Sequence, residues 1–159
     1  MNRMFWVALG LALSLPTGIA AQNKSPKSWE LSVLEERLVQ AVKRDLPNSI
    51  DSSVEPAEGS QDVVIHKWTI GDKIVRIVIV RHASVDEAVR SIRRFAAEKK
   101  ATSETPDGND ELYELRVLGS IALRKRQFAV YIEAKSTGVD DQRALMRRFA
   151  HLLSDAMEN

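Results

Sequence analysis

The stretch DVVIHKWTIGDKIVRIVIVRH, Asp62 to His82, constrains the fold more than any other part of the chain. Two runs rich in β-branched residues flank Gly71-Asp72. Glycine at the first of two central positions suits a type II′ hairpin turn, where a positive φ is required. That turn sets Val64 opposite Ile79, His66 opposite Ile77 and Trp68 opposite Val75, which makes one face of the hairpin mostly apolar. The reverse face carries Lys67, Thr69 and Arg76 beside Ile65, Val78 and Val80.

A second β-rich region, LYELRVLGSIALRKRQFAVYIEAK, begins at Leu112, and each region leads into an amphipathic segment. After the first, Val85, Ala88, Val89, Ile92, Phe95 and Ala96 recur at helical spacing. Ser84, with Glu87 three positions on, forms a capping box. After the second, GVDDQRALMRRFAHLLSDAM predicts the last helix, with Asp140 and Asp141 placed against the positive end of its dipole.

The two helices echo one another. VDEAVRSIRRFA from Val85 and VDDQRALMRRFA from Val139 share the tetrapeptide RRFA. Sliding one unit onto the other pairs Ile92 with Met146, Phe95 with Phe149, Val64 with Val117, Trp68 with Ile121 and Ile77 with Val130. One extra residue near Thr137-Gly138 reconciles strands and helix. A wrong register would set apolar against polar residues, because strand side chains alternate. Arg93 and Arg94 fall beside or opposite the buried stripe, and Asp86–Arg90 and Arg94–Glu98 have the i,i+4 spacing of helix ion pairs. The doublet therefore reads as a solvated helix face, with an anion-binding ridge as the alternative.

Ahead of the first hairpin, SPKSWELSVLEERLVQAVKRDLP places Leu31, Leu34, Leu38, Ala41 and Val42 on one stripe, capped by Ser25 or Ser28 and stopped by Pro47. Asn48–Gln61 and ATSETPDGND read as loops. The expected fold is α+β: an N-terminal helix over 28–46, then duplicated ββα units over 62–100 and 112–157. These merge into one antiparallel sheet of four or five strands with helices packed on one face.

The chain opens MNRMFWVALGLALSLPTGIAAQ. Arg3, the apolar run Met4–Leu15, Pro16 and the small residues up to Ala21 predict a secretory leader over 1–21, cut after Ala20 or Ala21. The apolar run is short for a membrane span, and no other segment approaches one, so no span is expected after cleavage. The expected location is the bacterial periplasm or the medium. The full chain has 23 basic and 22 acidic residues. Losing Arg3 leaves the two in balance, which argues against a nucleic-acid partner. With no cysteine, a disulfide scaffold, a lipid-anchored lipoprotein, a thiol nucleophile and thiolate metal sites are excluded.

A catalytic constellation is hard to find. His66, His82 and His151 lack ligand-type spacing. His66 lies on an apolar strand face and reads as a core residue, while His82 follows a strand two residues before Ser84, which already has a capping task. PDGNDE at Pro106–Glu111 offers Asp107, Asn109 and Glu111 as oxygen ligands but lacks EF-hand spacing and is ordinary turn chemistry. Arg124-Lys125-Arg126 is the densest positive run and falls at a hairpin tip, with Tyr131 further along the same hairpin. No phosphate loop, nucleophile elbow or cofactor motif occurs.

The first expectation is thus a non-enzymatic binding module for a small molecule or an envelope protein, with no cofactor or metal. Its candidate surface is Lys67, Arg76, Arg124, Arg126 and Tyr131. The alternatives are a small hydrolase or metal-dependent enzyme using His66 or His82, and a homodimer formed through an unprotected sheet edge.

Overall fold

The computed structural model describes residues 28–52, 62–104, 108–115, 119–135 and 138–158. The predicted leader over 1–21, Ser25, residues 53–61 of the first loop, Pro106, Asp107, Val117 and Thr137 lie outside them. Helix α1 spans Trp29–Asp45, and the Ser28 hydroxyl accepts the Leu31 amide at 3.3 Å to cap it. Its stripe of Leu31, Leu34, Leu38 and Val42 is buried. The helix ends ahead of Pro47, which cannot continue the amide ladder and disfavours helical backbone in the residue before it.

Strand β1 (Ile50–Asp51) is followed by β2 (Val63–Ile70) and β3 (Lys73–Arg81), which pair in the register expected from the turn: Val64 with Ile79, His66 with Ile77, Trp68 with Val75. In that turn the positive φ falls on Gly71, at 62°. Helix α2 (Val85–Glu98) starts at Ser84, whose hydroxyl accepts the Glu87 amide at 3.2 Å. The Glu87 carboxylate takes the amide of Ala83, so the predicted box closes one residue early. Strands β4 (Thr102–Glu104), β5 (Glu111–Leu115), β6 (Ser120–Lys125) and β7 (Phe128–Lys135) precede α3 (Val139–Glu158).

The strands form one antiparallel sheet of seven, in the order β1-β2-β3-β7-β6-β5-β4. Four or five were expected. The two edge strands are two and three residues long and lie in stretches read as loops. Strands so short leave no alternation to detect.

Helices lie on both faces of the sheet, not one. On the first face α1 and α3 seal a core around Trp68, Ile77, Ile121, Val130, Leu38 and Phe149. On the second, Ile92 of α2 sits on Ala122 and Ala129, edged by Phe95, Tyr113 and Tyr131. The small alanines let this helix approach the sheet closely. Strand β6 runs between α2 and α3, so all six of its residues are buried, cations included. Alternation tells which side chains share a face but not which face a later helix will take. Duplication is not shown: the matched hairpins share an apolar face, yet their helices differ in length and lie on opposite sides.

The RRFA arginines hold the sheet from both sides. Arg93 Nε donates to Glu111 at 3.0 Å, and Arg147 Nη2 donates to Glu114 at 3.1 Å. Both carboxylates stand on β5, on opposite faces. Arg148 donates to the Asp45 carbonyl at 2.7 Å, where the last turn of α1 exposes acceptors. Among the described residues the expected pairs Asp86–Arg90 and Arg94–Glu98 do not form.

Candidate binding face

On the second face, α2 packs over β6 and β7, and among the described residues no helix packs over β2 and β3. The strand register stacks side chains there into four rungs. Val63, Val80 and Ala129 form one, then Ile65, Val78 and Tyr131, then Lys67, Arg76 and Glu133, then Thr69, Ile74 and Lys135. Two apolar rungs thus give way to a charged one. Val63, Ile65, Ile74, Val78 and Val80 are each partly exposed, and Lys67 and Arg76 are exposed. Arg76 Nη1 lies 3.5 Å from Glu133 Oε2, a pair too exposed to fix either side chain firmly.

Helix α2 makes the wall of this surface. Tyr131 packs edge-on against Phe95, with ring centroids 4.7 Å apart, and its hydroxyl lies 3.3 Å from Ser91 Oγ. Burial, set against the Ser91 hydrogen bond and the nearby Arg94 charge, pushes the phenol above its usual range. Tyr131 is therefore a neutral hydrogen-bonding group at physiological pH and a corner between floor and wall. Arg90 and Arg94 are exposed on the same helix, and among the described residues neither has a carboxylate at ion-pair distance.

The sequence-derived set is divided by the structure. Lys67, Arg76 and Tyr131 stand on this one surface. Arg124 points to the same side of the sheet but is 8% exposed, donating to Asp110 at 2.7 Å and to the Arg126 carbonyl at 3.0 Å. Lys125 is buried on the other side, with its ammonium 3.0 Å from Ser154 Oγ and 2.5 Å from Glu158. Of the three cations at the hairpin tip, only Arg126 reaches water. A paired, buried cation is a structural fastening, because separating it would strand a charge in the interior.

The histidines part in a similar way. His66 is 2% exposed and stacked on Trp68 at 4.6 Å. Its Nδ1 shares a hydrogen bond of 3.3 Å with Asp51, so the ring ties β1 to β2, while its Nε2 lies 3.2 Å from Glu35 of α1 without a hydrogen bond. His82 is half-buried, and its imidazole is held below the usual histidine range by desolvation, with the Glu87 charge opposing. Ser84 Oγ accepts the Glu87 amide, so the hydroxyl serves the cap. Asp110 and Glu111, the described acids of the PDGNDE stretch, are engaged by Arg124 and Arg93. Among the described residues no group of three or more histidine or carboxylate side chains is placed to hold a metal ion.

Three features were not singled out in the sequence. Arg90 and Arg94 were absorbed into a predicted pair-laced helix face, whereas among the described residues neither has an ion-pair partner; Arg94 is close enough for its charge to act on Tyr131. Trp29 falls off the buried stripe of α1 and is 74% exposed, a signal the helical wheel did contain. Glu35 and Asp51 carried no signal, since only the fold brings them to His66. Compared with protein-family models, with curated proteins and with solved structures, the chain matches none, so the site is read from its own geometry.

Proposed function

We propose that this chain is an exported, non-enzymatic binding module of the cell envelope, and that the half of its sheet left bare by α2 docks an acidic polypeptide with apolar side chains. The observation that carries this reading is the rung pattern. Val63, Val80, Ile65 and Val78 offer an apolar strip that no helix of the described chain covers. Lys67 and Arg76 continue it, while Arg94 of α2 brings a further positive charge near Tyr131. A contiguous apolar strip edged by cations marks interaction surfaces more often than inert ones. Cations around it favour acidic partners and speed their approach. Among the described residues no helix is long and apolar enough to cross a membrane. The leader read from the sequence supplies the envelope location.

The test compares the parent with Lys67→Glu/Arg76→Glu, immobilised and exposed to envelope extract at low and high salt. The reading expects a defined partner retained by the parent, released by salt, and lost from the variant while its thermal midpoint is unchanged. Equal capture by both proteins rejects the docking face. Intact-mass measurement of protein recovered from expressing cells checks export, expecting loss of the first 20 or 21 residues. A partner that proves to be a second copy, seen as concentration-dependent light scattering lost in the variant, would turn the module into a dimer built on the same face.

A further inference from the structure

We propose that a second, separate site lies on the sealed side of the molecule, where the start of α1, the β6–β7 turn and the end of α3 enclose a cleft for a small carboxylate bearing an apolar chain. The cleft has a volume of about 310 Å³, at the small end of ligand pockets. Leu34, Phe128 and Met157 form its apolar floor, and each is nearly buried, at 4%, 8% and 6% exposure. Trp29 stands at its rim, the most exposed large apolar side chain among the described residues. The α1 stripe is complete without this indole, so the core does not account for its position.

Charge selects the head group. Four charged side chains line the cleft apart from any ligand: Glu30, Glu158, Arg37 and Arg126. Both carboxylates are already engaged by cations. Glu30 accepts from Arg81 at 2.6 Å and from Gln127 at 3.1 Å, and Glu158 accepts from Lys125 at 2.5 Å. The two guanidiniums are not matched in this way. Among the described residues Arg37 reaches only the Ala156 carbonyl, at 3.5 Å, and Arg126 has no carboxylate at ion-pair distance, its charge acting on Glu158 from further off. The Arg126 backbone is nevertheless fixed, because its amide donates to Asp110 at 2.6 Å and its carbonyl accepts from Arg124 at 3.0 Å. A fixed turn presents a guanidinium with no direct ion pair to a cleft that a second guanidinium, Arg37, also lines, over an apolar floor. Guanidiniums grip carboxylates through paired N–H donors, and the indole can close over an apolar chain.

The test uses the full chain, with octanoate as probe and octylammonium and octanol as controls for charge and chain. Acrylamide quenching of tryptophan emission is read for the parent and for Trp29→Phe, so that their difference reports Trp29. Octanoate is expected to shield Trp29 at least about twofold, octanol less, and octylammonium not at all. Arg37→Glu/Arg126→Glu is expected to weaken octanoate binding at least about tenfold, as loss and reversal of the charge-assisted bonds requires. Should that variant fail to fold by circular dichroism, Arg126→Gln is used, with a smaller loss in the same direction. Lys67→Glu/Arg76→Glu is expected to bind octanoate as the parent does, so this site and the bare sheet face fail independently. Equal shielding by octanoate and octylammonium, undiminished binding by the arginine variants, or no shielding by any probe overturns the proposal.

Discussion

The two faces of the sheet solve the same burial problem to different degrees. On one, α1 and α3 close a continuous core from Trp68 through Phe149, and the ionic groups that enter it are paired: Glu114 with Arg143 and Arg147, Lys125 with Glu158. On the other, among the described residues, a single 14-residue helix rests on two alanines and does not extend over β2 and β3. Burial is thus concentrated on the first face and exposed sheet surface on the second. The difference teaches that amphipathicity alone does not assign helices. The stripes of α2 and α3 look alike in sequence, but α3 is long enough to cross the sheet and meet α1, whereas α2 covers a patch.

The largest expected contrast comes from the matched phenylalanines. Phe149→Ala, at a fully buried site touching Trp68, should cost about 4 kcal/mol by chemical denaturation. Phe95→Ala, at a partly exposed site, should cost about 1–2 kcal/mol. Equal losses would mean that the second face is as sealed as the first. Next come the two β5 carboxylates held by the RRFA arginines. Glu114→Gln breaks a buried network and should lower stability by about 3 kcal/mol. Glu111→Gln should cost less, because its close partner Arg93 is well exposed and its buried neighbour Arg124 lies 3.8 Å away and keeps Asp110.

A smaller effect, of opposite sign, is expected at the β6–β7 turn. Arg126 has φ 52°, a backbone conformation that strains any residue with a Cβ. Arg126→Gly should therefore raise the unfolding free energy by up to about 1 kcal/mol, part of the relief being offset by the greater freedom of glycine when unfolded. If the cleft proposal holds, the same change should also weaken octanoate binding. The smallest effect is in acid. The Glu158 carboxyl is held below its usual range by the hydrogen bond and charge of Lys125. A depressed folded-state value stabilises above the unfolded value and is lost as pH falls through the folded one. Parent and Glu158→Gln should differ at neutral pH and converge at pH values below the ordinary glutamate range. A gap that persists unchanged into acid would show that the Glu158 contribution does not come from its charge, and no gap at neutral pH would show that Lys125 draws its support from Ser154 alone.

Much of the fold was legible because it rests on local rules. Gly71 marked the turn, and that turn fixed which residues of β2 face β3. Ser28 and Ser84 marked helix starts, and Pro47 marked a helix end. What escaped depends on contacts between distant segments. The strands β1 and β4 exist only as ladder partners of β2 and β5. The side chosen by α2 follows from alanines on two strands more than 20 residues downstream of it. The candidate surface was half legible: Lys67, Arg76 and Tyr131 followed from alternation on neighbouring strands. Arg124 and Lys125 were read as a solvated tip because their partners Asp110, Ser154 and Glu158 are remote in sequence.

The inequality of the two faces can be read on a single strand. The chain has no cysteine, so one introduced thiol reports alone. Val75→Cys and Val78→Cys place it on β3 facing the sealed and the bare side respectively, with nearly equal change in volume. Under native conditions the thiol at position 78 should react with a small maleimide at least about a hundredfold faster than the one at 75, which needs opening of the core to be reached. Comparable rates at the two positions would contradict a sheet sealed on one face and bare over β2 and β3 on the other.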